Sequence, residues 1–170
     1  MKVELVDLAK EPQFNPRASP LAFPSGTKLK VTVSSYKDLG THEGVNLFNE
    51  VKFCPIDGGE RLLQWPRIYY HDVGLGIYSP HSPEMDRYRE LTAALSAGSP
   101  YVYHVYFDYK SRDQISDATK KIEIRAYDLS KEPRDVCLRF AGGVMFGGGF
   151  VSNTVIIPKE SIRRALQTGG

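Results

Sequence analysis

Apolar and polar residues alternate along much of the chain with a period of two. That spacing turns one face of a β-strand to a core and the other to water. Leu29, Val31 and Val33 alternate with Lys28, Lys30 and Thr32, which predicts a half-buried strand. From Tyr101 to Tyr109 one face carries Tyr101, Tyr103, Val105, Phe107 and Tyr109; the other carries Val102, His104, Tyr106 and Asp108. Ile122, Ile124 and Ala126 share a face, and Val136, Leu138 and Phe140 point inward with Asp135, Cys137 and Arg139 outward. Looser patterns predict strands over residues 2–8, 61–71 and 73–78, the second interrupted at Trp65-Pro66, where proline implies a sheet edge or a bulge. Val45 to Phe53 reads as a strand in preference to a short helix, and Val151 to Ile157 as a last strand.

Two segments break this period. At 82–97, Ser82 suits a helix cap and Pro83 the first helical position. Met85, Tyr88, Leu91, Thr92 and Leu95 then form a stripe at three-four spacing, and Gly98 supplies the stop. Lys159 to Gln167 predicts a short C-terminal helix with Ile162 and Leu166 on its apolar side. Pro12, Pro16, Pro20 and Pro24 recur every four residues and predict an irregular arm at about 10–26.

The chain has 170 residues, 41% hydrophobic and 25% charged, which suits one globular domain. Fifteen glycines and eleven prolines favour turns, and ten tyrosines with eight phenylalanines favour strands. The expected fold is mainly β, with α+β as the variant: an antiparallel β-sandwich or open barrel, one main helix at about 82–97 and the short C-terminal helix. No repeat or linker divides residues 1–170.

Charges interrupt every apolar run near Met1, and no stretch reaches eighteen apolar residues, so neither a signal peptide nor a membrane helix is expected. Cys54 and Cys137 are too few for a disulfide framework, and no histidine near either completes a zinc set. The expectation is two unbridged thiols and a cytoplasmic location.

Tests for catalytic and cofactor motifs are mostly negative. Gly142 and Gly147 have phosphate-loop spacing, but Gly148 and Gly149 stand where lysine and a hydroxyl residue belong, which leaves a hairpin or a bulge. His42-Glu43 lacks the second histidine of a zinc-protease motif, and no Gly-x-Ser-x-Gly elbow exists. No cofactor and no metal are predicted. One polar set stands out: His104, Tyr106 and Asp108 share a strand face. If the strand ending at His71-Asp72 lay beside it, these groups would suit metal binding or acid–base work.

A second reading concerns the aromatic residues. Arg67-Ile68-Tyr69-Tyr70-His71 and the 101–110 stretch interleave rings with basic groups, as single-strand nucleic-acid platforms do. Asp72, Asp108, Asp113 and Asp117 lie in or near the same segments, and the net charge of +2 is small, so nucleic acid is disfavoured. The leading expectation is a non-catalytic recognition module. It would take a protein partner or a small ligand on an aromatic surface of Trp65, Tyr69, Tyr70, Tyr103 and Tyr106. The alternatives are a small enzyme using His71, His104 and Asp108, or a single-strand binder.

Overall fold

The computed structural model describes residues 1–12, 26–40, 45–55, 66–75, 83–111, 115–117, 122–124, 126–144 and 149–169. Its strands are β1 (Lys2–Lys10), β2 (Thr27–Ser35), β3 (Val45–Phe53), β4 (Arg67–Tyr70), β5 (Val73–Leu75), β6 (Tyr101–Phe107), β7 (Lys110–Ser111), β8 (Ile115–Asp117), β9 (Ile122–Ile124), β10 (Tyr127–Asp128), β11 (Val136–Val144), β12 (Gly149–Val151) and β13 (Val155–Ile157). The helices are α1 (Pro83–Ala93) and α2 (Lys159–Thr168). The fold is mainly β, with antiparallel sheets, two helices and no closed barrel among the described residues.

The larger sheet has the order β1-β2-β6-β4-β5. Its register places Val31 and Ile68 opposite Val105, and Val33 and Tyr70 opposite Tyr103. One face therefore collects the β-branched and aromatic residues. In the second sheet β11 pairs along its whole length with β3, and on its other side with β13 and then β12. Val136, Leu138 and Phe140 turn to the same core as the first sheet, and the Tyr103 and Phe140 rings lie 6.3 Å apart between the two. Helix α2 closes one end with buried Ile162 and Ala165, packing along β1.

Several elements differ from the pattern in the sequence. Helix α1 ends at Ala93 and fully buries Tyr88 alone, with Met85 and Leu91 half-buried against the core. Residues 151–157 are split: the backbone breaks at 152–154, where Ser152 exchanges backbone and side-chain bonds with Phe140. The glycine run begins inside β11, and Gly143 pairs with Gly149 as arms of a hairpin. Pro66 does not mark an edge. It lies one residue before β4, so its missing N–H costs no ladder bond, and β4 is an inner strand between β5 and β6. Most of the proline-rich arm, with Ser82, lies outside the described residues.

The cysteines correct the expectation of free thiols: Cys54 and Cys137 form a disulfide. Their separation of 83 residues conceals that β3 and β11 are neighbours, with Lys52 opposite Cys137. The Cys54 N–H donates to the Asp135 carbonyl at 3.1 Å and carries the pairing one step further. The two cysteines thus become diagonal partners on one face, with Cα atoms 5.2 Å apart. A crosslink over so long a loop restricts the unfolded chain strongly. Cys54→Ser should lower unfolding free energy by roughly 2–5 kcal/mol in urea titrations. The unreduced protein, alkylated under denaturing conditions, should take up no label; uptake of two labels would show the bridge absent.

Candidate functional site

Strand β6 has opposed faces, and both matter. Tyr103, Val105 and Phe107 enter the core. Tyr106 and His104 stand on the outer face, in two cross-strand rows. One row runs Asp7, Lys30, Tyr106, Arg67; the other runs Leu5, Thr32, His104, Tyr69. Residues directly opposite across antiparallel strands lie about 4.5–5.5 Å apart, so each row forms a continuous strip of side chains.

Toward one end this outer face carries a buried ionic cluster. The Glu11 carboxylate accepts from Arg67 at 3.0 Å, from Lys28 at 3.0 Å and from the Tyr69 hydroxyl at 3.1 Å. Lys28 also approaches Asp108 at 3.6 Å. The Glu11 side chain is 3% exposed and that of Lys28 8%. Isolated charges are costly to bury, so the cluster is tolerable only because each charge faces opposite charge and hydrogen-bond donors. Burial pushes the Asp108 carboxyl up, against the opposing pull of Lys28. Burial, reinforced by the Glu11 charge, raises the Tyr69 hydroxyl well above the ordinary tyrosine value.

His104 lies farther along the same face, with Nδ1 3.2 Å from the Thr32 hydroxyl. Burial lowers its affinity for a proton, and the charges of Lys30 and His71 add to the effect. His71, at φ 55°, shares the two-residue β4–β5 turn with Asp72, and its ring lies 4.8 Å from that of Tyr70. Asp108 does not join the two histidines. It follows His104 by four residues, about 13 Å along an extended strand, and bonds into the Glu11 cluster. Among the described residues no group of three or more His, Cys, Asp or Glu side chains is gathered closely enough to hold a metal ion.

The aromatic residues singled out from the sequence are divided between the faces. Tyr69 and Tyr106 meet edge-to-face on the outer side at 5.3 Å, whereas Tyr70 and Tyr103 are core rings. All four are 5% exposed or less, so they do not form the accessible surface expected of them; Trp65 lies outside the described residues. The expectation rested on Pro66 as an edge marker, but β4 is an inner strand whose Tyr70 faces the core and whose Tyr69 packs on Tyr106 and bonds Glu11. Tyr103 instead anchors a loop: its hydroxyl accepts from the Leu39 N–H at 2.9 Å and sits 3.3 Å from the Tyr88 hydroxyl. Tyr88 donates to Asp38, whose Oδ1 also accepts from the Gly40 N–H at 2.8 Å. Gly40 is required there, because a Cβ would lie 2.6 Å from the Tyr88 ring.

This loop presents a residue that the alternation pattern passed over. Tyr36 follows β2, is 79% exposed, and is the one large exposed aromatic among the described residues. Ser35 Oγ bonds both the carbonyl and the N–H of Lys37, which fixes the turn around it. Glu11 carries no signal in the sequence, Lys28 reads there as a wet-face charge and Arg67 as one basic group in an aromatic run, until the register gathers them. No family model, curated protein or solved structure matches the chain.

Two expectations follow. Folding leaves His104 a weaker base than in the unfolded chain, so as pH falls below about 6.5 the unfolded state takes up the proton first. Stability therefore drops between pH 7 and pH 5, and His104→Gln should flatten this part of the profile in urea midpoints measured across the range. Glu11→Ala leaves Lys28 and Arg67 short of a buried counter-charge and should cost about 3–5 kcal/mol by the same titration.

Proposed function

We propose that the protein is a non-catalytic recognition module that takes its partner at the outer face and the Tyr36 end of the five-stranded sheet. The observation that supports this reading most is Tyr36, a large exposed ring on a turn fixed by Ser35, Asp38 and Tyr103. A tyrosine held this way offers contact area with little further loss of freedom on binding. Val102, opposite Ser34, and Leu5, opposite Thr32, are 39% and 53% exposed on the outer face nearby. The buried rings Tyr69, Tyr70, Tyr103 and Tyr106 support the surface from beneath, and their proposed part in binding is indirect. The enzyme alternative is weaker, because His71 and His104 lie apart from Asp108 and its ionic cluster.

The cytoplasmic location expected from the sparse cysteines has little support beside the disulfide, which favours maturation in an oxidising compartment. No helix among the described residues is long and apolar enough to cross a membrane.

The test compares four immobilised proteins, the wild type and three variants, against extract of the source cells. Proteins retained by the wild type should be lost with Tyr36→Ala and Val102→Asp and kept by Ile156→Asp, on the other sheet. Central interface tyrosines are worth about 2 kcal/mol or more when truncated, a loss of roughly thirtyfold in affinity. Equal retention by all four would exclude this surface. A turnover activity abolished by His104→Ala and kept by Tyr36→Ala would replace the module with the enzyme.

A further inference from the structure

The Cys54–Cys137 bridge stands apart from the packing that holds the second sheet together. It lies on the outer face, turned away from Val136, Leu138 and the core. Strands β3 and β11 pair without it from Val45–Val144 to Phe53–Val136, and Val51, Phe53, Val136 and Leu138 are buried on the other face. Two further contacts fix the strand ends beside the bridge. The Cys54 N–H donates to the Asp135 carbonyl at 3.1 Å, and the Arg134 guanidinium lies 4.1 Å from the centre of the Phe53 ring. The Asp135 carboxylate in turn accepts from the Lys159 N–H at 2.8 Å, which ties this corner to α2. The register therefore keeps the two cysteines adjacent whether or not their sulfurs are joined. They differ in access: Cys54 is half-buried at a strand end and followed by exposed Pro55, whereas Cys137 is 4% exposed in the central strand.

We propose that Cys54–Cys137 is a redox centre that opens and closes within the folded protein by exchange with an external dithiol. A thiolate of the dithiol attacks Cys54 Sγ. A new S–S bond forms there as the Cys54–Cys137 bond breaks, and the Cys137 sulfur leaves with the electron pair and takes up a proton. The second thiolate of the dithiol then displaces Cys54 in the same way. The protein gains two electrons and two protons and holds two thiols; the dithiol becomes a disulfide. Lys52, directly across from Cys137 on the same face, supplies positive charge to the departing thiolate, its tie to Glu50 being long at 3.9 Å. Closure by a disulfide oxidant runs the steps backwards. It is rapid because the ladder holds both thiols in place, which makes the closing step unimolecular. The site is on the sheet opposite Tyr36 and is independent of the recognition reading.

The experiment reduces the full-length protein with dithiothreitol in the absence of denaturant and counts thiols by alkylation and mass. Two thiols should appear at a rate proportional to dithiothreitol concentration and unaffected by low urea, since exchange does not wait for unfolding. The reduced protein should keep native amide shifts outside residues 52–55 and 134–137 and should re-form the bridge with oxidised glutathione in native buffer. In single-thiol proteins, Cys54 of Cys137→Ser should react with an aromatic disulfide reagent roughly tenfold or more faster than Cys137 of Cys54→Ser. The wild-type kinetics stand independently of either variant's folding. The proposal is overturned by a bridge that resists dithiothreitol until denaturant is added, or by a rate that saturates with dithiothreitol and climbs with urea. Loss of the native spectrum on reduction overturns it too, as does Cys137 reacting as fast as Cys54.

Discussion

The structure depends on the packing of β6 between β2 and β4 with both of its faces engaged. A strand flanked on two sides satisfies its backbone groups through the ladder, so its side chains alone distinguish inside from outside. A slip of one residue would put Tyr103, Val105 and Phe107 on the polar face and His104 and Tyr106 in the core. The cross-strand partners Val31, Val33, Ile68 and Tyr70 fix the register, because they accept only the apolar set. The core, the Glu11 cluster and the Asp7 row all follow from this one alignment.

Strand β11 has the corresponding role in the second sheet. It receives β3 on one side and β13 and β12 on the other, so its inward residues meet the first sheet at the Tyr103–Phe140 contact. The disulfide joins the start of β11 to the end of β3 on the opposite face from Val136 and Leu138. The crosslink therefore constrains the chain without taking space in the core. The Glu50–Arg139 pair stands farther along the same two strands and adds a local polar contact at a partly exposed position.

Charge is handled differently at the two sites on the first sheet. At Glu11 every acceptor is engaged, which rigidifies Tyr69 and Arg67 and adds little net stability, since desolvation offsets most of the attraction. At Asp7 one buried carboxylate oxygen has no hydrogen-bond partner among the described residues. The Asp38 network resembles Glu11 in this respect: it holds the turn that carries Tyr36 by bonding to two core tyrosines.

The sequence by itself determined the elements whose periodicity is strong. The two faces of residues 101–107, the inward set Val136, Leu138 and Phe140, the β3 strand and the C-terminal helix could be read directly, because alternate burial leaves a direct mark on composition. It also showed an antiparallel, mainly β fold. Only the tertiary structure decided what depends on which strands are neighbours. Cys54 and Cys137 become partners through the β3–β11 register, Pro66 precedes an inner strand, and Asp108 falls to Glu11 and Lys28 instead of His104. The same holds for the tyrosines: a ring beside a proline reads as accessible in the chain, but Tyr70 packs in the core and Tyr69 packs on Tyr106 and bonds Glu11. Residue spacing records how one strand meets water, but the pairing of distant strands is set by long-range packing, which leaves no local pattern.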